Sequence, residues 1–311
     1  MPASMNADWV GASVRARSMA RRRVGAGAAR EIAAQPSLGS ALALLADSVH
    51  AGRLAGCTTL ADAQRATRET VLWQLRVLAG WLSAGGTRLL RAVAGGFERD
   101  NILALARRLD GHPTPADFEL GALATAWPRL RTASSVEDLV AAVRRSAWGD
   151  PGAEGSTTLP DVLTLVWLRT VAGAAPEARR WTAAASALTV GRSLLVERVV
   201  PSVRLREVAR PLLGRTWEET RDLAAFRAAL PSSVRPALDG VEDASRLWRA
   251  EAALRARVES DAHGLLHGPR PGPSIVLGAI AVLDVDAWRV RAALAAAAVG
   301  AGSSEVLDAA A

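Results

Sequence analysis

Apolar positions recur at three- and four-residue spacing over most of the chain, the pattern of helices that bury one face. In TTLADAQRATRETVLWQLRVLAGWL, residues 58–82, Ala63, Thr67, Val71, Leu75, Leu78 and Leu82 form one such stripe. Three further stretches open with helix-start chemistry. TPADFELGALATAW offers Thr114 as N-cap, Pro115 at the first helical position and Asp117 at the third. SSVEDLVAAVRRSAW repeats the pattern with Ser134 and Glu137 ahead of Leu139, Val140 and Val143. TWEETRDLAAFRAAL does so with Thr216 and Glu219, and Pro231 follows its end. Strand-like alternation is confined to VVPSVRLREV, residues 199–208, where Pro201 interrupts it. Breaks fall at Gly85 and Gly86, at Gly111 with Pro113 and Pro115, over residues 149–156, and over residues 268–273. The pattern predicts an all-α chain of about ten to a dozen helices joined by loops of ordinary length. Most tryptophans, including Trp73, Trp81, Trp127, Trp167, Trp248 and Trp288, fall at apolar helical positions and are expected in the core.

Composition narrows the picture. With 311 residues, half of them apolar, the chain can bury a large core as one big domain or two smaller ones. A charged fraction of 22% excludes wholesale disorder. Every one of the 38 basic residues is Arg, and Tyr is absent. The net charge of +7 suits an anionic partner but does not choose among nucleic acid, an acidic protein surface and lipid headgroups. The single cysteine, Cys57, excludes an intramolecular disulfide and a cysteine-rich zinc site, and fits a reducing, cytoplasmic setting. The Arg cluster near the start has no apolar core before it, so no signal peptide is expected. The longest apolar run, SIVLGAIAVL at residues 274–283, is about half a membrane span and is followed by Asp284 and Asp286.

Catalytic patterns are missing. A P-loop needs a Lys after its glycines, and the partial glycine pattern VGAGAAR, residues 24–30, follows an Arg-rich helix rather than a strand. It reads as a helix break or a close-packing site. His50 and His112 sit alone near turns. His263 and His267 are four apart with Asp261 nearby, but Gly264, Gly268 and Pro269 mark a fraying helix end and no further ligand is evident. No nucleophile elbow occurs. The expectation is a non-enzymatic protein with no catalytic residue, cofactor or metal. Arg15, Arg17, Arg21, Arg22 and Arg23 could track phosphates, or they could be the solvated face of a helix that turns Val14, Met19 and Val24 inward. The cluster lacks a recognition-helix context and interleaved aromatics, which favours the solvated face.

One stretch resists this plain reading. In GGFERDNILALARRLDG, residues 95–111, Glu98 and Asn101 stand three apart and so share a helix face. They are either an exposed helix start capped by Asp100 or Asn101, or a buried pair whose polar atoms must all find partners.

That stretch resembles a recurring element of the C/d subunit family of rotary V-type and A-type ATPases, in which an acid is followed three positions later by Asn, then Leu or Ile, then Arg. Glu98, Asn101, Ile102 and Leu105 fit it, with Arg107 and Arg108 close behind. VRARSMARRR looks like the family's N-terminal helix. SLGSALALLADSVHAGRLAG, residues 37–56, looks like its next, Leu-rich helix, with His50 where an aromatic such as Tyr is common. Two degenerate copies of the element follow. LTLVWLRTVAG keeps Leu168 and Arg169 but has Thr164 for the acid and Trp167 for the Asn; DVDAWRVRAAL keeps Asp284 and Arg289 with Ala287 at the Asn position. Residues 176–230 match only in length and helicity.

The resemblance implies one all-helical domain over residues 1–311, a funnel-like assembly of three related helical sub-bundles with repeats near 1–112, 113–230 and 231–311. It favours the buried pair for Glu98 and Asn101. It implies a non-catalytic coupling subunit that joins the central rotor shaft to the membrane rotor ring, in support of ATP-linked proton or sodium transport. Its partners would be the shaft subunits and the ring, without direct nucleotide binding, at the cytoplasmic face of the membrane. Arg15, Arg17 and Arg108 are the candidate contacts to those partners. The competing readings are a basic helical nucleic-acid binder, disfavoured by its scattered Arg residues, and a free-standing helical interaction scaffold.

Overall fold

The computed structural model describes residues 3–82, 85–152 and 159–310. The chain is all-α: of the described residues 71% are helical and none forms a strand. In chain order the helices are α1 (Ala3–Arg21), α2 (Gly25–Ala33), α3 (Leu38–Leu44), α4 (Ala51–Leu54), α5 (Leu60–Ala79), α6 (Thr87–Leu109), α7 (Trp127–Leu130), α8 (Val136–Arg144), α9 (Leu159–Ala174), α10 (Arg179–Gly191), α11 (Val203–Leu213), α12 (Leu223–Ala229), α13 (Leu247–Leu266), α14 (Pro273–Ala298) and α15 (Glu305–Asp308). They form two compact units, Met1–Gly86 with Ala252–Ala311, and Thr87–Glu251. These boundaries differ from the repeat boundaries at 112/113 and 230/231.

The first unit is built around α14. It is buried on nearly every side, from Ile275 to Ala297, because α1, α2, α3 and α5 all lie against it. A helix apolar all round has no face to offer water and takes the centre. Alanines dominate its contacts: Ala29, Ala33, Ala41, Ala63, Ala66, Ala293 and Ala297 surround Ile32, Leu45 and Leu294. Small side chains bring helix axes close together. At Gly278 of α14 an added Cβ would stand 2.6 Å from the Ala262 carbonyl oxygen and 3.1 Å from the Leu266 nitrogen of α13. Among the described residues no helix is long and apolar enough to cross a membrane. In the second unit α9 takes the central place, packed on α6, α10 and α11.

The α5 stripe lies inward as its spacing predicts, with Ala63, Thr67, Val71, Leu75 and Leu78 buried and Thr59 capping the helix through the Asp62 N–H. Other starts move. The expected helix at 114–127 is absent, and residues 112–120 are irregular. Both His112 and Thr114 precede a proline, which disfavours helical backbone at each. The cap of α8 is Ser135 rather than Ser134, which bonds Asp138 instead. At the third site Thr216–Glu219 forms only a short 3-10 turn, because Trp217 is buried there and Glu218 is drawn to Arg210; Asp222 then caps α12 through the Ala225 N–H at 2.8 Å. Residues 199–208 are not a strand: Ser202 caps α11, which runs on from Val203. Of the break expected over 149–156, residues 153–156 lie outside the described residues. The tryptophans divide. Trp127 is buried, Trp167, Trp248 and Trp288 are half-buried, and Trp73 and Trp81 are exposed, contrary to the core expectation.

Candidate functional site

α6 carries the Glu98–Asn101 pair in its middle, where its own backbone groups are already satisfied and neither residue can act as a cap. Each is only 1% exposed. The two side chains work one turn apart on the irregular segment that follows. The Asn101 amide reads both backbone groups of one residue: Nδ2 donates to the Phe118 carbonyl at 2.9 Å, and Oδ1 accepts from the Phe118 N–H at 2.7 Å. Such two-way pairing requires extended backbone at Phe118, which helps to displace the helix expected there. The Phe118 ring meets Phe97 edge to face, 5.2 Å between centroids, and seals the pair from solvent.

Glu98 collects four donors. Its Oε2 accepts from the Thr125 N–H at 2.6 Å; its Oε1 accepts from the Thr125 hydroxyl at 2.6 Å, the Ala126 N–H at 2.9 Å and the Trp148 indole N–H at 2.8 Å. The two backbone donors are those just before α7, so the carboxylate does the work of a helix cap from another helix. One acid–amide pair therefore orders residues 118–126 and ties α6 to the loop after α8. Ile102 and Leu105 are buried beside it. Arg107 is exposed, and Arg108 pairs with Asp117 at 2.9 Å.

The second copy of the element sits on α9. Leu168 is buried and Arg169 exposed. Trp167, at the Asn position, donates its indole N–H to the Ala92 carbonyl at 3.0 Å and lies against Gly95 and Gly96, where added Cβ atoms would be 3.1 Å from its ring. Glycine permits this approach of α9 to α6.

The third copy sits on α14 and departs from the sequence register. Asp284, aligned with Glu98, is exposed and pairs with Arg255 at 2.7 Å. The buried carboxylate belongs to Asp286, whose oxygens accept from the Val24 N–H at 2.9 Å and the Gly25 N–H at 2.7 Å, at the start of α2. It does for α2 what Glu98 does for α7. Burial pushes the Asp286 carboxyl above its ordinary range, and the Gly25 and Val24 bonds with the Arg23 and Arg289 charges only partly offset this. Arg289 is buried and makes a two-armed pair with Glu259 of α13, at 2.6 and 2.5 Å. Burial pushes the Glu259 carboxyl up, but the Arg289 bonds and charge, with His263 and Arg23 adding, hold it below its ordinary range. Phe118, Thr125, Trp148, Glu259 and Asp286 carry no local sequence signal for these roles; each is recruited from a distant part of the chain.

On α1, Arg17 is committed inside the first unit, donating to the Leu266 carbonyl at 2.9 Å and the Gly268 carbonyl at 2.7 Å at the end of α13. Two of its donors are therefore spent inside the chain, and the side chain is half-buried. Arg15 is half-buried, and its Nε is enclosed without a hydrogen-bond partner. Met19 is buried and Val24 half-buried, but Val14, expected to turn inward, is exposed.

His263 and His267 each bond a carbonyl four residues back through Nδ1, to Glu259 and His263 respectively. No group of three or more His, Cys, Asp and Glu among the described residues could hold a metal ion. His50 is buried, and neither ring nitrogen has a hydrogen-bond partner among the described residues. Burial lowers its pKa from 6.5 to about 4. Between those values the unfolded chain binds the proton and the folded chain does not, so this group makes stability fall as pH falls from 6.5 towards 4. The full effect is on the order of 3 kcal/mol. His50→Leu is expected to match or exceed the parent in stability at neutral pH and to lose less on acidification. Thermal melts of both proteins at neutral pH and at the lower end of that window measure this; a parent–variant difference independent of pH would overturn it.

No protein-family model and no curated protein matches the chain.

Proposed function

We propose that the chain is a non-catalytic coupling subunit of a V/A-type rotary ATPase, seated between the central shaft and the membrane rotor ring on the cytoplasmic face. The observation that carries this reading is the Glu98–Asn101 pair. The acid and the amide stand in the order and spacing that the family resemblance anticipates, both are buried, and together they order residues 118–126. A subunit that passes torque must resist shear between its helices, and a carboxylate with four donors defines one register rather than several. The all-helical body agrees with the same reading.

Many arginines are engaged within the chain, among them Arg17, Arg99, Arg108, Arg210, Arg227 and Arg289. That weighs against the nucleic-acid reading, which needs guanidinium groups presented together to phosphates. The test is affinity capture of the tagged protein from gently detergent-solubilised native membranes, with co-purifying chains identified by mass spectrometry. Recovery of shaft and ring subunits together is the expected result. A protein recovered without either would overturn the coupling function while leaving the fold untouched.

A further inference from the structure

The two exposed tryptophans belong to one face of the first unit. Trp73, Val77 and Trp81 follow one another at four-residue intervals along the C-terminal half of α5 and just past its end, so they form a stripe. Trp73 is 43% and Trp81 52% exposed. Trp81 lies on α1 at Gly11, where an added Cβ would stand 3.2 Å from the indole. On either side of Gly11, Val10 and Val14 are 48% and 63% exposed. Trp9 closes the face where its indole approaches Gly86. Two helices thus present an adjoining set of branched aliphatic and indole groups to the outside.

Positive charge predominates around this face, since Glu69, one turn before Trp73, is paired with Arg65 at 2.9 Å. Residues 9–30 and 70–86, which follow Asp8 and Glu69, contain no Asp or Glu, while Arg21 ends α1, Arg22 follows it and Arg76 stands between Trp73 and Val77. All three are exposed. Arg21 lies eleven residues after Val10, three helical turns on, and shares its side of α1. Indoles with apolar rings and a polar N–H, valines, and arginines able to pair with phosphate are the chemistry of the boundary between headgroups and acyl chains.

We propose that this face of α1 and α5 is a lipid-contact surface that seats the first unit on an anionic bilayer. Trp73, Trp81, Val10 and Val14 enter the headgroup–acyl boundary, and Arg21, Arg22 and Arg76 meet lipid phosphates. The contact is to lipid itself and does not depend on the coupling function, since it is measured without any ATPase subunit.

The test uses the purified full chain with vesicles of phosphatidylcholine alone and vesicles in which a quarter of the lipid is phosphatidylglycerol. Co-sedimentation at low salt is expected only with the anionic vesicles and is expected to weaken as salt is raised. Brominated acyl chains are expected to quench tryptophan emission. Trp73→Ala/Trp81→Ala is expected to weaken binding roughly tenfold or more. Val14→Asp, on a side chain already facing water, serves as the variant that keeps the fold, and its melting temperature is the check. Absence of binding to anionic vesicles, or equal binding by parent and both variants, would overturn the proposal. Equal affinity for polyglutamate with no quenching by brominated lipid would also overturn it, and would reassign the face to an acidic protein.

Discussion

Glu98→Ala is expected to be the most destabilising single substitution in the second unit. It removes the acceptor from two backbone N–H groups, a hydroxyl and an indole N–H at once, in a place where the side chain was 1% exposed. Each buried donor left unpaired costs about 1–3 kcal/mol, so even with relaxation and water entry the loss is about 4 kcal/mol. A domain holds only about 5–15 kcal/mol in total, which makes this a large share. Glu98→Gln keeps the shape and one carbonyl acceptor but turns an N–H2 towards donors, and its expected loss is about 2 kcal/mol. Asn101→Asp keeps the acceptor for the Phe118 N–H and loses the donor to the Phe118 carbonyl, so it falls between. Chemical denaturation gives the order, and hydrogen exchange gives the place: the amides of Phe118, Thr125 and Ala126 are expected to lose protection first. A Glu98→Ala protein that melts with the parent and keeps those amides protected would refute the lock.

Gly278→Ala is expected to be nearly as costly in the first unit, through a different force. The new methyl group would stand 2.6 Å from the Ala262 carbonyl oxygen, 2.9 Å from the Leu265 Cβ and 3.1 Å from the Leu266 nitrogen. Two of those three atoms are backbone and the third is a Cβ, so no side-chain rotation clears the clash. α13 must move as a body, which strains the Arg17 bonds to the carbonyls at its end. Overpacking of this kind costs about 1–3 kcal/mol and more where backbone must shift; about 3 kcal/mol is expected here. Gly264→Ala supplies the contrast. Gly264 lies within α13 with nothing near its missing Cβ, so alanine there is expected to stabilise by about 0.5–1 kcal/mol. Calorimetric melts of the two variants should move in opposite directions. If both move the same way, the close approach of α13 and α14 is not what holds this part of the unit.

Periodicity alone led to an all-helical chain and to the inward stripe of α5, because a helix that buries one face writes that face into every third and fourth residue. Capping chemistry was less reliable. Ser135 and Asp222 cap helices one and six residues after the positions that Ser134 and Thr216 suggested, since a cap is chosen by where apolar packing begins. The strong start signal at Thr114 led nowhere: Asn101 claims both backbone groups of Phe118, which lies 17 residues away in sequence.

The same division runs through the site. That Glu98 and Asn101 share a face follows from their spacing, and the family resemblance singled them out. Their four-donor and two-way pairings with Thr125, Ala126, Trp148 and Phe118 belong to the packed unit. So does the exchange of Asp284 for Asp286 as the buried acid of α14, which two residues of helical rotation decide: one side faces water and the other the start of α2. What this sequence determined by itself was local, the helices and the faces they would bury, because those are set by neighbours three and four residues apart. Which polar groups are enclosed, which glycine admits a second helix, and why Trp73, Trp81 and Val14 remain outside were decided only in the tertiary structure, where distant segments compete for the same hydrogen bonds and the same buried surface.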